Sequence, residues 1–234
     1  MATLNTKAFS ELLKEVKQMM PQSFPQNSWY IMVATSLAAA GKGDMFGDLY
    51  QYALAQAKFD EVYRKNLSIR LREVIIKSWT LIGMPRAIAA SYSLQAADQK
   101  DDEADNIRRA QLINEPDLPS QRSQSWFKQA FQDMEPKIFS RFSYHSELEW
   151  TLRYVVYGYF LGDLSVLTPI ENEFVVLASV LPAGGSPSIT HMKILRQLGV
   201  SARDGEVFLD ICKKISQWAG VNTTSWPSYE AIES

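Results

Sequence analysis

The sequence predicts an all-α fold, and three observations support this prediction. Apolar residues recur at helical spacing along most of the 234 residues. Glycine and proline interrupt the pattern at intervals that suit helices. No segment alternates apolar and polar residues as a half-buried strand does. Because 46% of the residues are hydrophobic, the chain can bury a core without disulfides, and we expect one domain over residues 1–234.

The first helix is predicted to be amphipathic and to begin with a cap near Thr6. Its apolar face contains Phe9, Leu12, Leu13, Val16 and Met20. Further helices are expected where apolar periodicity runs up to glycine, proline or a polar break, over about 29–41, 44–58 and 60–82. The last of these ends at Gly-Met-Pro and is followed by a returning helix that reaches Leu94.

The second half of the chain shows the same helical spacing of apolar residues. Its predicted helices cover about 121–139, 145–161, 169–181, 186–198 and 202–219. Residues 98–125 between the two halves are polar and are broken by Pro116 and Pro119. We interpret them as a solvated surface connection, with a lid over a site as the alternative. The tail, residues 222–234, has no periodicity and is expected to lie over the surface or against a partner subunit.

The composition argues against several classes of function. A formal net charge of −2 and a pI near 5.8 give no electrostatic reason to bind nucleic acid or an anionic membrane. Cys212 is the only cysteine, so an intramolecular disulfide and a two-cysteine redox centre are impossible. The N-terminal segment lacks a signal-peptide core, and no apolar run approaches the roughly 18 residues that span a bilayer. We therefore expect a soluble, cytoplasmic protein.

An internal repeat relates two helical hairpins at an offset of one hundred residues. The segment LSIRLREVIIKSW from Leu67 aligns with LTPIENEFVVLAS from Leu167, so that Glu73 corresponds to Glu173. A Gly-x-Pro turn follows in both copies with a slip of two residues. The same offset places Ser91 opposite His191, so only the second copy carries an imidazole. We expect two pseudo-repeats, about 60–97 and 145–219, whose hairpins (70–94 and 169–198) pack about a pseudo-two-fold axis.

The second repeat resembles the carboxymuconolactone decarboxylase and alkylhydroperoxidase D-like superfamily, best over about 147–219. The matching features are Glu173, the small-residue turn Gly184-Gly185-Ser186, His191, Gly199-Val200-Ser201 and Glu206. The segment from Trp150 looks most like the two-repeat fungal members, which are often found in secondary metabolism. The resemblance implies a bundle of duplicated helical hairpins that assembles as a homodimer or a larger homo-oligomer.

The missing cysteines decide which branch of that superfamily the chain resembles. In the peroxidase branch a Cys-x-x-Cys pair precedes the histidine, and those places here hold Gly184 and Pro187. Thiol chemistry needs one thiolate to attack and a second thiol to resolve the product. Cys212 lies among apolar residues of the last predicted helix and is expected to belong to the core. Peroxiredoxin activity is therefore not expected.

The decarboxylase branch implies acid–base chemistry without a metal or an organic cofactor. His191 is the candidate general acid or base, because imidazole titrates near neutral pH. Glu173 is the candidate that orients it. Helix geometry offsets the two by about one turn, so a direct contact and a water bridge both remain open. Asn172 and Glu171 are alternative partners.

The helix before this hairpin supplies a candidate pocket wall. Trp150, Tyr154, Tyr157 and Leu161 recur at spacings of four, three and four, which favours one face of an α-helix, in the core or lining a site. Arg153 either pairs with Glu149 on the surface or anchors a substrate carboxylate.

Further candidates come from the first repeat and from the other histidine. Glu73 and Trp79 are candidate substrate residues of the first repeat, although Glu73 with Arg70 and Arg72 also resembles an ordinary charged helix face. His145 is expected to serve at the start of its helix.

Two functions follow from these observations. The first is a cofactor-independent enzyme, a lyase or isomerase, that decarboxylates, isomerises or cyclises a small oxygenated aromatic or polyketide-like molecule. The second is a helical oligomer that retains the fold and binds a metabolite or a partner without chemistry. A pocket open to His191 would favour the enzyme, and a histidine sealed in packing would favour the binding protein.

Overall fold

The computed structural model describes residues 2–58, 60–98, 108–183, 186–229 and 232. Within these residues all regular structure is helical and no strand occurs, so the predicted all-α class is confirmed. Residues 99–107 of the polar connection, and the turn residues Gly184 and Gly185, lie outside the described part of the chain. None of the described helices is long and apolar enough to cross a membrane.

The described residues divide into two compact units. The first contains residues 1–101 and 167–234, and the second contains residues 102–166. The helices of the first unit are α1 (Ala2–Met19), α2 (Trp29–Ala39), α3 (Phe46–Gln56), α4 (Glu61–Ile82), α5 (Met84–Ala97), and, after the second unit, α9 (Pro169–Val180), α10 (Ser186–Gln197) and α11 (Ala202–Trp218). The expectation of a single domain stays a prediction.

Helix α2 forms the centre of the first unit. All eleven of its residues are buried, and it packs against α4, α9 and α11. Its sequence, WYIMVATSLAA, carries no charge and no polar face, which is the pattern of a helix that is enclosed on every side. Its neighbours α4 and α9 also pack against each other, and this arrangement brings charged residues of both helices into the interior.

Several helix ends of the first unit follow local signals in the sequence. The Asp60 side chain accepts the Tyr63 N–H at 2.7 Å and starts α4. Gly83, with φ of 86°, ends α4 in a conformation that other residues rarely adopt. Thr168 and Glu171 form a capping box at the start of α9. The cap predicted near Thr6 is wrong, because α1 begins at Ala2 and includes the good helix formers Ala2 and Leu4.

The second unit contains shorter and less regular helices. They are α6 (Leu118–Trp126), which continues as a π-helix over Phe127–Phe131, α7 (Met134–Phe139), and α8 (Ser146–Trp150), which continues as a π-helix over Thr151–Leu161. The single helix predicted over 121–139 is therefore broken. Pro136 explains the break, since a proline ring in a continuous helix clashes with the carbonyl four residues earlier, at Gln132. Gln132 instead adopts a φ of 48°.

Two glycines let the π-helix after α8 approach α6 closely. A Cβ atom at Gly158 would lie 2.9 Å from the Pro119 carbonyl oxygen, and one at Gly162 would lie 3.1 Å from the Arg122 carbonyl oxygen. Arg109 and Arg122 pair with the buried Asp163 at 3.4 and 3.6 Å. Burial acts to raise the pKa of Asp163, but hydrogen bonds from Ser165 and the two arginines lower it below its usual value.

The predicted hairpins are present in the first unit as α4–α5 and α9–α10. The offset of one hundred residues does not persist through their second helices, because the connection after α9 is longer and includes a 3₁₀ turn over Leu181–Ala183. Counted from the first residue of each helix, His191 of α10 corresponds to Ala89 of α5. This count differs by two residues from the match of Ser91 to His191, which stays a prediction. The pseudo-two-fold packing of the hairpins stays a prediction.

The described part of the tail packs against its own chain. Trp226 and Tyr229 are 8% and 1% exposed. The Tyr229 backbone N–H donates to a carboxylate oxygen of Glu206, and its ring lies on Gly205, both in α11. A side chain at position 205 would overlap that ring, so the glycine is required for this contact.

Candidate functional site

His191 and Glu173 form a direct pair between α10 and α9. The distance from His191 Nδ1 to Glu173 Oε1 is 2.7 Å. Of the two geometries that the sequence leaves open, the structure shows the direct contact. A carboxylate at Nδ1 favours a proton on that nitrogen, so that the lone pair of a neutral imidazole is on Nε2.

Glu173 is enclosed in the interior of the first unit. It is 0% exposed, and its second oxygen, Oε2, has no hydrogen-bond partner among the described residues. Burial raises the pKa of Glu173 above its ordinary value, although the neighbouring His191 acts in the opposite direction. This carboxyl group therefore holds a proton more tightly than a solvated glutamate does.

The imidazole itself is largely enclosed. His191 is 8% exposed, and a tenth of its side chain is accessible. Asn172, the neighbour of Glu173 along α9, is 0% exposed, and neither atom of its amide group has a partner within the described chain. A buried amide without partners is costly, so this position is polar for a reason other than packing.

Tyr229 of the tail lies close to this pair. Its hydroxyl donates to the carbonyl oxygen of Met192, the residue after His191, at 3.2 Å. Burial is the main cause of the raised pKa of Tyr229, and the negative charge of Glu173 adds to it. The tail thus fixes the backbone of α10 beside the imidazole.

Glu73 is not part of an ordinary charged surface, which corrects that interpretation of the sequence. Glu73 and Lys77 are 1% and 0% exposed, and Lys77 Nζ lies 3.7 Å from Glu73 Oε1. A buried ion pair is rare, because both charges lose their hydration. Arg72 is the residue of this helix face whose side chain stays partly exposed, at 36%.

Glu171 does not serve as the partner of His191. Its carboxylate accepts from Ser28 at 3.1 Å, pairs with Arg70, and closes the capping box with Thr168. Arg70 in turn donates to the Tyr30 hydroxyl at 2.6 Å. These contacts connect α2, α4 and α9, so Glu171 and Arg70 stabilise the interior of the first unit.

The candidate pocket-wall residues belong to the second unit. Trp150 is 57% exposed and Tyr154 37%, whereas Tyr157 and Leu161 are 7% and 0% exposed. The four residues therefore do not share one environment. The prediction assumed α-helical spacing, and the π-helix changes which residues face the same way, since it bonds each N–H to the carbonyl five residues earlier.

All three aromatic residues of this set have an aromatic neighbour within the second unit. The Tyr157 ring lies 4.7 Å from that of Phe127. The Trp150 ring lies 5.9 Å from that of Tyr154. Whether they bind a substrate stays a prediction.

Arg153 is engaged by two carboxylates of the second unit. Its Nε donates to Glu149 at 2.9 Å, and its Nη1 pairs with Glu135. The guanidinium also lies 3.6 Å from the centre of the Phe139 ring. Of the two roles considered for Arg153, this geometry favours the pair with Glu149.

The remaining sequence candidates have clear positions. Trp79 lies in the last turn of α4 and is half-buried. His145 caps α8 by accepting the Leu148 N–H at its Nδ1, as expected for a helix start. Cys212 is 1% exposed in α11, and burial raises the pKa of its thiol to about 12. A thiol with that pKa is almost entirely protonated at neutral pH, which makes it a poor nucleophile.

Three polar residues of the interior, Lys77, Asn172 and Tyr229, were not predicted as members of the candidate site. Lys77 carried a signal, because it follows Glu73 by four residues on the face of α4 that also carries Arg70. Asn172 was named only as an alternative partner, and Tyr229 lies in a segment without periodicity. No group of three or more histidine, cysteine, aspartate or glutamate residues in the described part of the chain is arranged to hold a metal ion.

Peroxisomal protein 2 of Saccharomyces cerevisiae is 23% identical to the chain over 262 aligned residues, which cover 87% of the chain and 91% of the yeast protein. Its name refers to the peroxisome and to no reaction. No model of a known protein family matches the chain, and no solved structure matches it. The chain is thus similar along most of its length to one yeast protein at low identity.

Proposed function

We propose that the protein is a cofactor-independent enzyme that uses His191 as a general acid or base on a small oxygenated molecule. The observation that carries the proposal is the contact of 2.7 Å between His191 Nδ1 and the enclosed carboxyl of Glu173. A carboxyl group in this position holds the ring in one orientation and determines which of its nitrogens faces away from Glu173, and a general acid or base needs such a fixed orientation. The resemblance to the carboxymuconolactone decarboxylase branch is part of this proposal. It implies that the reaction is a decarboxylation or an isomerisation.

The cysteine supports acid–base chemistry over thiol chemistry. The chain has one cysteine, its thiol is buried, and its pKa is about 12. A peroxidase cycle that attacks with one thiolate and resolves with a second thiol cannot operate on this chain. We therefore propose a substrate that forms an enolate or a phenolate when it loses CO2 or a proton. A single imidazole can transfer the proton that such a reaction requires.

A second candidate function is favoured by the exposure of His191. At 8% exposed, the imidazole is closer to a sealed residue than to one that lines an open pocket. The Glu173–His191 pair would then be a structural link between α9 and α10, and the protein would be a non-catalytic helical oligomer that binds a metabolite or a partner.

The chain offers a matched experiment, because it has only two histidines. We would incubate the protein with a panel of aromatic and lactone carboxylic acids and measure release of CO2 or isomerised product. His191→Asn is expected to lower turnover by roughly a hundredfold or more. His145→Asn, at an exposed helix start, is expected to leave turnover unchanged. If turnover survives in the His191 variant, the imidazole is not the acid or base, and the structural role is correct.

Cellular location belongs to the same proposal. The sequence predicts a cytoplasmic protein, whereas the similar yeast protein has a name that refers to the peroxisome. A fluorescent fusion expressed beside a peroxisomal marker separates the two. Diffuse fluorescence supports the cytoplasmic prediction, and punctate fluorescence on the marker contradicts it.

A further inference from the structure

The tail after α11 is held by three buried residues at a spacing of three: Thr223, Trp226 and Tyr229. The residues between them are exposed or half-buried. The chain leaves α11 at Gly220, whose φ of 87° is typical of a helix end, and the Gln217 side chain donates to the Thr223 hydroxyl at 2.8 Å. The tail therefore has a defined position on the first unit, although residues 221–229 form no helix.

Tyr229 is the most deeply buried of the three. Its hydroxyl donates to the carbonyl oxygen of Met192 in α10 at 3.2 Å. Its ring lies on Gly205, and its backbone N–H donates to Glu206, both in α11. A carbonyl in the middle of a helix already accepts the N–H four residues later, so the Tyr229 hydroxyl is an additional donor to this backbone. One residue of the tail thus ties α10 to α11.

The tie to α10 lies directly beside the candidate catalytic residue. Met192 follows His191 along α10, and the contact of His191 with Glu173 depends on how α10 lies against α9. That contact is 2.7 Å long, and lengthening it by about 1 Å would break the hydrogen bond. Ser188 fixes the first turn of α10 by donating to the Val180 carbonyl at 3.3 Å, and Tyr229 fixes the next turn.

The Tyr229 phenol keeps its proton in this position. Burial is the main cause of its raised pKa, and the negative charges of Glu173 and Glu206 also raise it, whereas Arg196 acts in the opposite direction. The hydroxyl therefore remains a donor to Met192 throughout the pH range in which an imidazole titrates. The influence of Glu173 also means that the phenol lies within electrostatic range of the candidate pair.

We infer that Tyr229 is a positioning residue for His191, and that its hydroxyl holds α10 where the imidazole meets Glu173. Tyr229 acts through the backbone of α10 and is not itself expected to touch a substrate. Its effect on turnover rests on the proposed function, whereas its effect on the imidazole does not. A displaced acid or base slows proton transfer more than it weakens substrate binding, so the rate constant is expected to change and the Michaelis constant is not.

The first test follows the imidazole by NMR of the full chain with isotopically labelled histidine. The chain has only two histidines, so His145 is an internal reference in the same spectrum. The shifts of the ring nitrogens report which nitrogen carries the proton. We expect a single tautomer of His191 in the wild type. In Tyr229→Phe, which removes the hydroxyl and keeps the ring on Gly205, we expect a mixture of both tautomers and no change at His145.

Thr223→Val is the matched control, because it removes the other buried hydroxyl contact of the tail, the one with Gln217. Its His191 shifts are expected to equal those of the wild type. A tail that only adds stability would affect the imidazole in both variants or in neither. Unchanged His191 shifts in Tyr229→Phe, or equal changes in the two variants, would overturn the inference.

The second test measures turnover on the panel of carboxylic acids described above. Tyr229→Phe is expected to lower kcat by about tenfold with KM nearly unchanged, and Thr223→Val is expected to keep the kcat of the wild type. An unchanged kcat in Tyr229→Phe would also overturn the inference. The NMR comparison needs no substrate, so if the wild type turns over no member of the panel, it alone decides the role of Tyr229, and the two failures can be told apart.

Discussion

At the scale of single residues, the interior of the first unit is unusual in how many charged groups it encloses. Glu73, Lys77, Glu171 and Glu173 are each at most 2% exposed. Both oxygens of Glu171 have partners, one in Ser28 and Arg70 and the other in Thr168 at the start of its own helix, whereas Glu173 pairs through one oxygen only. A group that is both buried and incompletely satisfied costs stability, and such costs concentrate at sites that serve a function.

The raised pKa of Glu173 gives a pH dependence that can be measured. The folded chain holds this proton more tightly than the unfolded chain, whose value is near 4.5. The proton bound by Glu173 therefore stabilises the folded chain fully below the unfolded pKa. This contribution to the free energy of unfolding is lost as pH rises through the pKa of Glu173 in the folded chain. Glu173→Gln cannot titrate, so the wild type is expected to lose stability relative to the variant as pH rises. Urea unfolding of both proteins from about pH 4 to pH 8 measures the difference; parallel stability curves would contradict the raised pKa.

The burial of Cys212 predicts an inert thiol. In the native protein it is expected to resist a thiol-labelling reagent, because the group is enclosed and its pKa is about 12. Labelling should become complete in denaturant. Cys212→Ala should leave turnover intact and lower the free energy of unfolding by on the order of 1 kcal/mol. Rapid labelling of the folded chain, together with loss of turnover in Cys212→Ala, would show that the protein uses thiol chemistry.

At the scale of helices, the sequence predicted those elements whose ends carry their own signals. Asp60 and Gly83 delimit α4, and the capping box of Thr168 and Glu171 starts α9. The π-helical stretches could not be predicted in this way, because a periodic apolar pattern does not specify hydrogen bonds to the fifth preceding residue.

The candidate site was predicted in part. The pair of His191 and Glu173 was named from the sequence, and their direct contact depends on how α9 and α10 pack, which spacing alone left open. Lys77 was missed because lysine is usually solvated, and only the packing of α4 against α2 and α9 encloses it.

The contact between α11 and the tail can be tested by a double-mutant cycle. Gly205→Ala is expected to destabilise the protein, because the added methyl group overlaps the Tyr229 ring. In a Tyr229→Ala background the same change should be neutral or stabilising by up to about 1 kcal/mol, since alanine favours helices over glycine. Thermal unfolding of the four proteins gives the coupling. Equal effects of Gly205→Ala in both backgrounds would show that the tail does not rest on α11 in solution.

At the scale of the whole molecule, exposed apolar side chains support the expected self-association. Helix α5 exposes Met84, Ile88 and Tyr92, which recur every four residues and are 49%, 42% and 69% exposed. Large apolar residues in such a row commonly mark a contact surface. We expect a homodimer or a larger homo-oligomer at micromolar concentration. Light scattering after size-exclusion chromatography measures the mass, and a particle of 26.5 kDa would contradict this expectation.

The first unit is built from two segments of chain, residues 1–101 and 167–234, separated by the continuous second unit. During synthesis, α2 leaves the ribosome well before α9 and α11, the helices that cover it. In a nascent chain that ends before residue 167, the uncharged and mostly apolar α2 therefore lacks the two helices that cover its remaining faces, although α4 is already present. The second unit, by contrast, has all of its residues available as soon as it has emerged. Chaperone demand in translation should therefore come from the N-terminal third of the chain and end when α11 is complete.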